Sequence, residues 1–205
     1  IYNTDFDPEI EAKSLEALYQ LRVDGIIIAS SGKNNKLISE YINKGMPIVH
    51  FQLEHDGSEK NLILSDYRQA AFDATEHAIP LDPQLIQYWQ RETGFEHSPK
   101  NIIESSAAPT AFFSQHLAIT TELLTHLNQE NITIPDDISL IGFDDIPMAE
   151  FFKVPITVVK QEPYIIGKEA TKLLLENIND KNRHSQKIMI SCSITQRQSC
   201  APPKG

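Results

Sequence analysis

Short apolar runs alternate along this chain with segments whose apolar residues recur every three or four positions. Seven runs read as strands: 23–29, 47–51, 61–64, 110–114, 139–143, 157–160 and 187–194. Most are continuously apolar, which fits strands covered on both faces. The helical patterns between them carry recognisable punctuation. Asp7 and Pro8 supply an N-cap and a first helical residue, with Glu9 and Glu11 near the positive helix end and Leu15, Leu18 and Tyr19 as the apolar stripe. Leu37, Ile38, Tyr41 and Ile42 mark a second helix, stopped at Gly45, which tolerates a left-handed cap. Asp66 opens a third with Ala70, Ala71 and Ala74; Leu123, Leu124 and Leu127 mark a fourth; Ile166, Ala170, Leu173, Leu174 and Ile178 mark a fifth. The stretch 96–109 reads as loop. Strand–helix alternation of this kind predicts βαβ units and an α/β fold with doubly wound, largely parallel sheets.

In such sheets ligands bind beyond the carboxyl ends of the strands. Four predicted ends carry hydrogen-bonding side chains: Ser30, Gln52, Gln115 with His116 after Ser114, and Asp144 with Asp145. Apart from the aspartates these are mostly uncharged. They suit a sugar or similar neutral polar ligand better than a phosphate, which calls for Arg, Lys or a glycine nest. Asp144, leaving the strand 139–143 directly, is read as a ligand contact. Asp145, just before Ile146 and Pro147, is read as the cap of a short helix.

At 205 residues the chain has room for one large domain or two small ones. Its formal net charge is −10, and no cluster of Lys and Arg stands against it. Counterion release from phosphates needs such a cluster, so this polypeptide is not expected to grip nucleic acid by itself. No apolar run is long enough to span a bilayer, and the acidic start lacks a signal-peptide layout, which points to the cytoplasm. Cys192 and Cys200 form no C-x-x-C and read as a small strand residue and a tail thiol rather than a disulfide. No nucleophile elbow, P-loop or dinucleotide turn is present, and no two of the seven histidines have H-x-x-x-H spacing. Neither enzyme chemistry, a metal nor a cofactor is implied.

Several motifs recur in a particular order: Asn3 to Asp5, Arg22-Val-Asp-Gly-Ile-Ile-Ile28, Gly45-Met-Pro-Ile-Val49, Ser65-Asp66 followed by Ala70, Ala74, Thr75 and His77, Pro109-Thr-Ala-Phe-Phe113, Ile134-Pro-Asp-Asp-Ile-Ser-Leu-Ile-Gly-Phe-Asp-Asp145, and Thr157 to Gly167. Together they cover most of the chain and closely resemble the effector-binding core of the lactose/galactose-repressor (LacI/GalR) family of bacterial transcription regulators. The resemblance implies a periplasmic-binding-protein-like type I fold with two lobes facing each other across a cleft. By that pattern residues 1–79 and about 160–180 form the first lobe, and 80–159 and about 186–200 the second. It places effector contacts on Asp144, on Gln161 at a crossover and on Gln52, with Ser30 and Leu64 as cleft neighbours. Gln115 and His116 stand where the family has an Asn-Asp pair.

The resemblance also implies a sugar-like small-molecule effector, a homodimer, no membrane partner, and operator DNA bound only through a helix-turn-helix head that this chain lacks. Met148, Phe151 and Phe152 are available to a second subunit or to the core. The first strand and helix of the lobe, and the usual effector-contacting arginine, have no counterpart. Ile79 runs straight into Pro80, and the segment after Ser114 is short. A viable sheet does not lose a central strand, so stretches are expected to be missing at those two places. Two other readings stay open. A sugar-binding receptor of a transport system shares the fold. A sugar hydrolase would use Asp144 and needs a second carboxylate at a set distance.

Overall fold

β-Branched and aromatic side chains fit a pleated surface, and more than half of the described strand residues are of these two kinds. The computed structural model of the chain describes residues 1–51, 61–78, 86–89, 99–105, 108–114, 117–145, 149–180 and 184–202. In chain order the elements are α1 (Pro8–Gln20), β1 (Ile26–Ile28), α2 (Asn35–Asn43), β2 (Ile48–Phe51), β3 (Leu62–Ser65), α3 (Tyr67–Ala78) and β4 (Ile86–Trp89). There follow α4 (Pro99–Ile103), β5 (Ala111–Ser114), α5 (Leu117–Gln129), β6 (Ser139–Phe143), a 3-10 turn (Ala149–Phe151), β7 (Thr157–Lys160), α6 (Pro163–Asn179), β8 (Lys187–Ile190) and β9 (Ser193–Thr195).

The chain forms two units, each with its own sheet. The first comprises Ile1–Ser65 and Glu162–Ile190, around a parallel sheet of order β1-β2-β3-β8. Successive strand residues point to opposite faces, and β2 shows it. Ile48 joins Leu15, Ile38 and Tyr41 beneath α1 and α2, while Val49 joins Ile63, Ile166 and Leu173 beneath α6. Both faces are covered, hence the continuous apolar run. Asp7 caps α1 by accepting from the N–H groups of Glu9 and Ile10 at 2.8 and 3.1 Å, as the sequence predicts. Gly45 ends α2 at φ 92°, and the Met46 N–H returns to the Tyr41 carbonyl at 3.1 Å.

The second unit comprises Asp66–Gln161 and Ser191–Gly205. Its sheet has the order β4-β5-β6-β7-β9, with β9 antiparallel to β7 and the other pairs parallel. One face packs Phe112, Leu140 and Val158 against Leu123 and Leu127 of α5. The other packs Phe113, Ile141, Phe143 and Val159 against Ala70 and Ala74 of α3. Small residues let the helix approach closely, which explains the alanines. The C-terminal tail enters between β6 and β7. Leu140 N–H donates to the Ser199 carbonyl at 2.9 Å. The Ser199 hydroxyl donates to the Leu140 carbonyl at 2.5 Å and accepts from Thr157 N–H at 2.8 Å.

Several expectations change. The apolar run 187–194 is two strands in two sheets: β8 pairs in parallel with β3 of the first unit, and β9 joins the second. The boundary therefore falls at Ile190/Ser191 rather than before residue 186, and α3 lies with the second unit rather than the first. The run shows no internal break because its alternation of more and less exposed positions continues through Ser191 and Cys192, where the chain changes sheet. β4 pairs in parallel with β5 although no strand was read there; four residues, one of them Gln87, give too little periodicity. The predicted loop 96–109 contains the short helix α4. Ile79, Pro80, Gln115 and His116, on which the expected gaps rest, lie outside the described residues.

Candidate ligand-binding site

β6 is buried along its whole length and delivers Asp144 at its carboxyl end. Asp144 adopts φ 67°, a left-handed conformation that aspartate tolerates better than most residues. Its N–H still donates to the Val159 carbonyl at 2.9 Å, so the ladder to β7 continues one step past the strand. β7 ends at Lys160, and Gln161 follows. That register brings the two side chains together: the Gln161 amide Nε2 donates to Asp144 Oδ1 at 2.7 Å. Among the described residues the Asp144 carboxylate accepts no other hydrogen bond.

A third side chain completes the group. Asp66 caps the first turn of α3, accepting from Gln69 N–H at 2.9 Å. This sets Tyr67 over the sheet end. Its hydroxyl donates to Gln161 Oε1 at 3.3 Å, and its ring lies 5.5 Å from that of Phe143 at 38°. The Gln161 amide is thus oriented from both sides, NH2 toward the carboxylate and oxygen toward the phenol. The set offers carboxylate oxygen, amide and phenol groups beside an aromatic face. That is the equipment to hold hydroxyl groups, and the described residues contain no group of three or more His, Cys, Asp or Glu able to hold a metal.

Residues 146–148, where the expected helix cap would act, lie outside the described residues, and Asp145 is engaged by the tail. Arg197 Nη2 lies 2.8 Å from its Oδ1 and donates to Oδ2 at 3.1 Å. Arg197 Nη1 also donates to the Ile156 carbonyl at 2.9 Å. A guanidinium offers a carboxylate strong, charge-assisted bonds, and the tail brings Arg197 within reach. Neighbouring aspartates thus have different work: Asp145 anchors the tail, and Asp144 meets Gln161.

The other candidates divide. Ser30 is buried, donating to Glu11 Oε1 at 3.3 Å and accepting from Gly32 N–H at 3.1 Å, so its hydroxyl serves the loop after β1. Leu64 is buried in β3 and offers only apolar surface. Ser114 shares a 2.7 Å hydrogen bond with Thr120. Gln52, Gln115 and His116 lie outside the described residues. Tyr67 and Arg197 were not anticipated, and Glu11 only as a favourable charge near a helix start. Only Asp66, read as a helix start, hinted that Tyr67 would be presented at a strand end. In the first unit a recess of about 620 Å³ runs beside β1, lined in part by Tyr2, Leu15, Leu18, Ile26 and Phe51. Its lining is mainly apolar, with Asn3, Thr4, Asp5 and Ser14 among its polar groups.

Residues 39–200 match the family described as periplasmic binding protein-like domain. The chain belongs to that family. It is 26% identical over 225 residues to the probable HTH-type transcriptional regulator EndR of Paenibacillus polymyxa, covering 92% of this chain and 66% of that protein. It is 25% identical over 236 residues to the HTH-type transcriptional repressor PurR of Aliivibrio fischeri (strain MJ11), covering 96% and 70%. The chain thus spans about two thirds of the length of these relatives. The span shared with PurR, 236 residues, exceeds the 205 of this chain, so that relative holds residues with no counterpart here. A LacI family transcriptional regulator from Enterococcus faecalis V583, solved with bound ribose, superposes with a TM-score of 0.80 at 23% identity, covering 98% of this chain and 85% of that one. The fold of this periplasmic-binding-protein-like chain is therefore that of LacI-type effector-binding domains, and the two relatives are regulators rather than transport receptors.

Proposed function

We propose that this chain is the effector-sensing and dimerisation domain of a cytoplasmic LacI-type transcription regulator. It binds a small polar ligand, a sugar or related metabolite, through Asp144 and Gln161. The observation that carries this reading is the Gln161–Asp144 hydrogen bond at the carboxyl ends of β7 and β6, where an open α/β sheet receives ligands. The ribose in the E. faecalis protein supports the ligand class. Operator DNA is contacted by a helix-turn-helix head outside this chain, as in relatives named HTH-type regulators. A ligand changes operator affinity only through its differential affinity for two states of the protein. Phe151, 78% exposed, and Phe152 provide an apolar surface for the second subunit.

The test follows DNA binding by the full-length regulator to the region upstream of its own gene during titration with sugars. At least one sugar changes operator affinity severalfold. Asp144→Asn removes that response and leaves ligand-free DNA binding intact. A response that persists in both Asp144→Asn and Gln161→Ala, or no response to any sugar, rejects the proposal.

A further inference from the structure

The two hydrogen-bonding groups at the ends of β6 and β7 have an aromatic neighbour that the sugar-binding reading does not require. Tyr67 packs its ring on Phe143 at 5.5 Å and donates its hydroxyl to Gln161 at 3.3 Å. Phe143 is 5% exposed and Tyr67 37%, so the phenylalanine is the backing and the tyrosine the outer surface. Asp66 caps the helix beneath it and fixes where the ring stands. A ring-closed sugar presents hydroxyls at its rim and an apolar C–H face. The face of an aromatic ring carries negative potential and attracts such C–H groups. An acyclic polyol has the same hydroxyls but no flat face.

We infer that Tyr67 is a specificity-determining residue of this site, a platform that selects ring-closed sugars over open-chain polyols while Asp144 and Gln161 hold the hydroxyls. This rests on the sugar-binding reading above. The hydroxyl of Tyr67 orients Gln161, and the ring supplies the selectivity, so the two contributions separate by substitution.

Calorimetric titration of the full-length protein with D-ribose, D-xylulose, D-glucose and D-galactose identifies the tightest sugar, which is then compared with its alditol. Tyr67→Phe retains the preference for the ring form. Tyr67→Leu weakens ring-form binding by about tenfold with little change for the alditol. Unfolding midpoints of both variants show whether the fold is kept, and the ratio of the two affinities is insensitive to a uniform loss of active protein. An unchanged ratio in Tyr67→Leu, with binding still abolished by Asp144→Asn, refutes the platform and leaves the site. Wild-type binding that survives Asp144→Asn and Gln161→Ala, or no binding to any of the four sugars, removes the site and the platform together.

Discussion

Glu11, on the first helix, takes the backbone N–H of Ser31 at 2.6 Å, twenty residues along the chain. The carboxylate is 2% exposed and also accepts from the Ser31 hydroxyl at 3.0 Å and from Asn34 Nδ2 at 2.8 Å. Asn34 Nδ2 in turn donates to the Pro8 carbonyl at 2.8 Å, so helix and loop are stitched at two points. A buried carboxylate is tolerable because its oxygens are satisfied. Glu11→Ala leaves those donors without their acceptor and lowers stability by about 2–3 kcal/mol. Urea unfolding checks it: the midpoint falls at unchanged slope. Glu11→Gln falls between the two, since its NH2 can serve the serine hydroxyls but meets only donors at the Ser31 N–H and Asn34 Nδ2. A Glu11→Ala midpoint equal to wild type sinks the assignment.

Tyr41 places its hydroxyl 2.5 Å from Glu16 Oε2 and stacks on Tyr19 with centroids 4.5 Å apart. Burial first, then the bond to Glu16, pushes its phenol up to about 12. A pKa raised on folding means the folded state holds its proton more tightly than the unfolded chain. The resulting stability is complete below pH about 10, the unfolded phenol value, and is lost as pH rises toward 12. Tyrosinate absorbance resolves this: of six tyrosines, Tyr41→Phe removes a component that ionises late. Loss of an early component instead would contradict the burial.

Local patterns made much of the architecture legible. Asp7, Pro8 and Gly45 announce helix ends because capping depends on neighbours in sequence. Asp144 was readable because it ends an uninterrupted apolar run, and Gln161 through the resemblance. The rest depends on partners far apart in the chain. Nothing local links Arg197 to Asp145, or Glu11 to Ser31, because each pairing exists only once the sheets have set the register. Tyr67 was hidden for a related reason: a tyrosine at a helix start is unremarkable until β6 and β7 bring Phe143 and Gln161 beneath it. The change of sheet between β8 and β9 leaves no mark in the period-two pattern, since both strands are half-covered and the alternation runs on between them.

Ser199 is fully buried between two strands, with its hydroxyl shared between the Leu140 carbonyl and Thr157 N–H. Alanine at this position keeps the tail backbone but leaves the buried Thr157 N–H without its acceptor and the Leu140 carbonyl with only the weak Cys200 thiol donor at 3.6 Å. A loss of about 2–3 kcal/mol follows. Thermal unfolding of Ser199→Ala and Ser199→Thr measures it, with threonine retaining the hydroxyl. If alanine is tolerated as well as threonine, the hydroxyl carries no net stability.

Gly25 sits at the entry to β1 where α6 presses on the sheet. A Cβ there would lie 2.7 Å from Leu174 Cδ1 and 3.1 Å from the Pro47 carbonyl oxygen. The leucine can yield, being the end of a side chain, whereas the carbonyl belongs to the connection into β2. Gly25→Ala therefore costs about 1–3 kcal/mol, the range for overpacking, and part of that is recoverable. Leu174→Ala removes the nearer clash but opens a space of its own, so each single substitution destabilises. In the double variant the new methyl occupies room the leucine vacated, and the two losses sum to more than the combined effect. A double-mutant cycle reads this as a favourable coupling of about 1 kcal/mol. Strict additivity would mean that the Pro47 carbonyl, and not the helix above, is what demands glycine at this position.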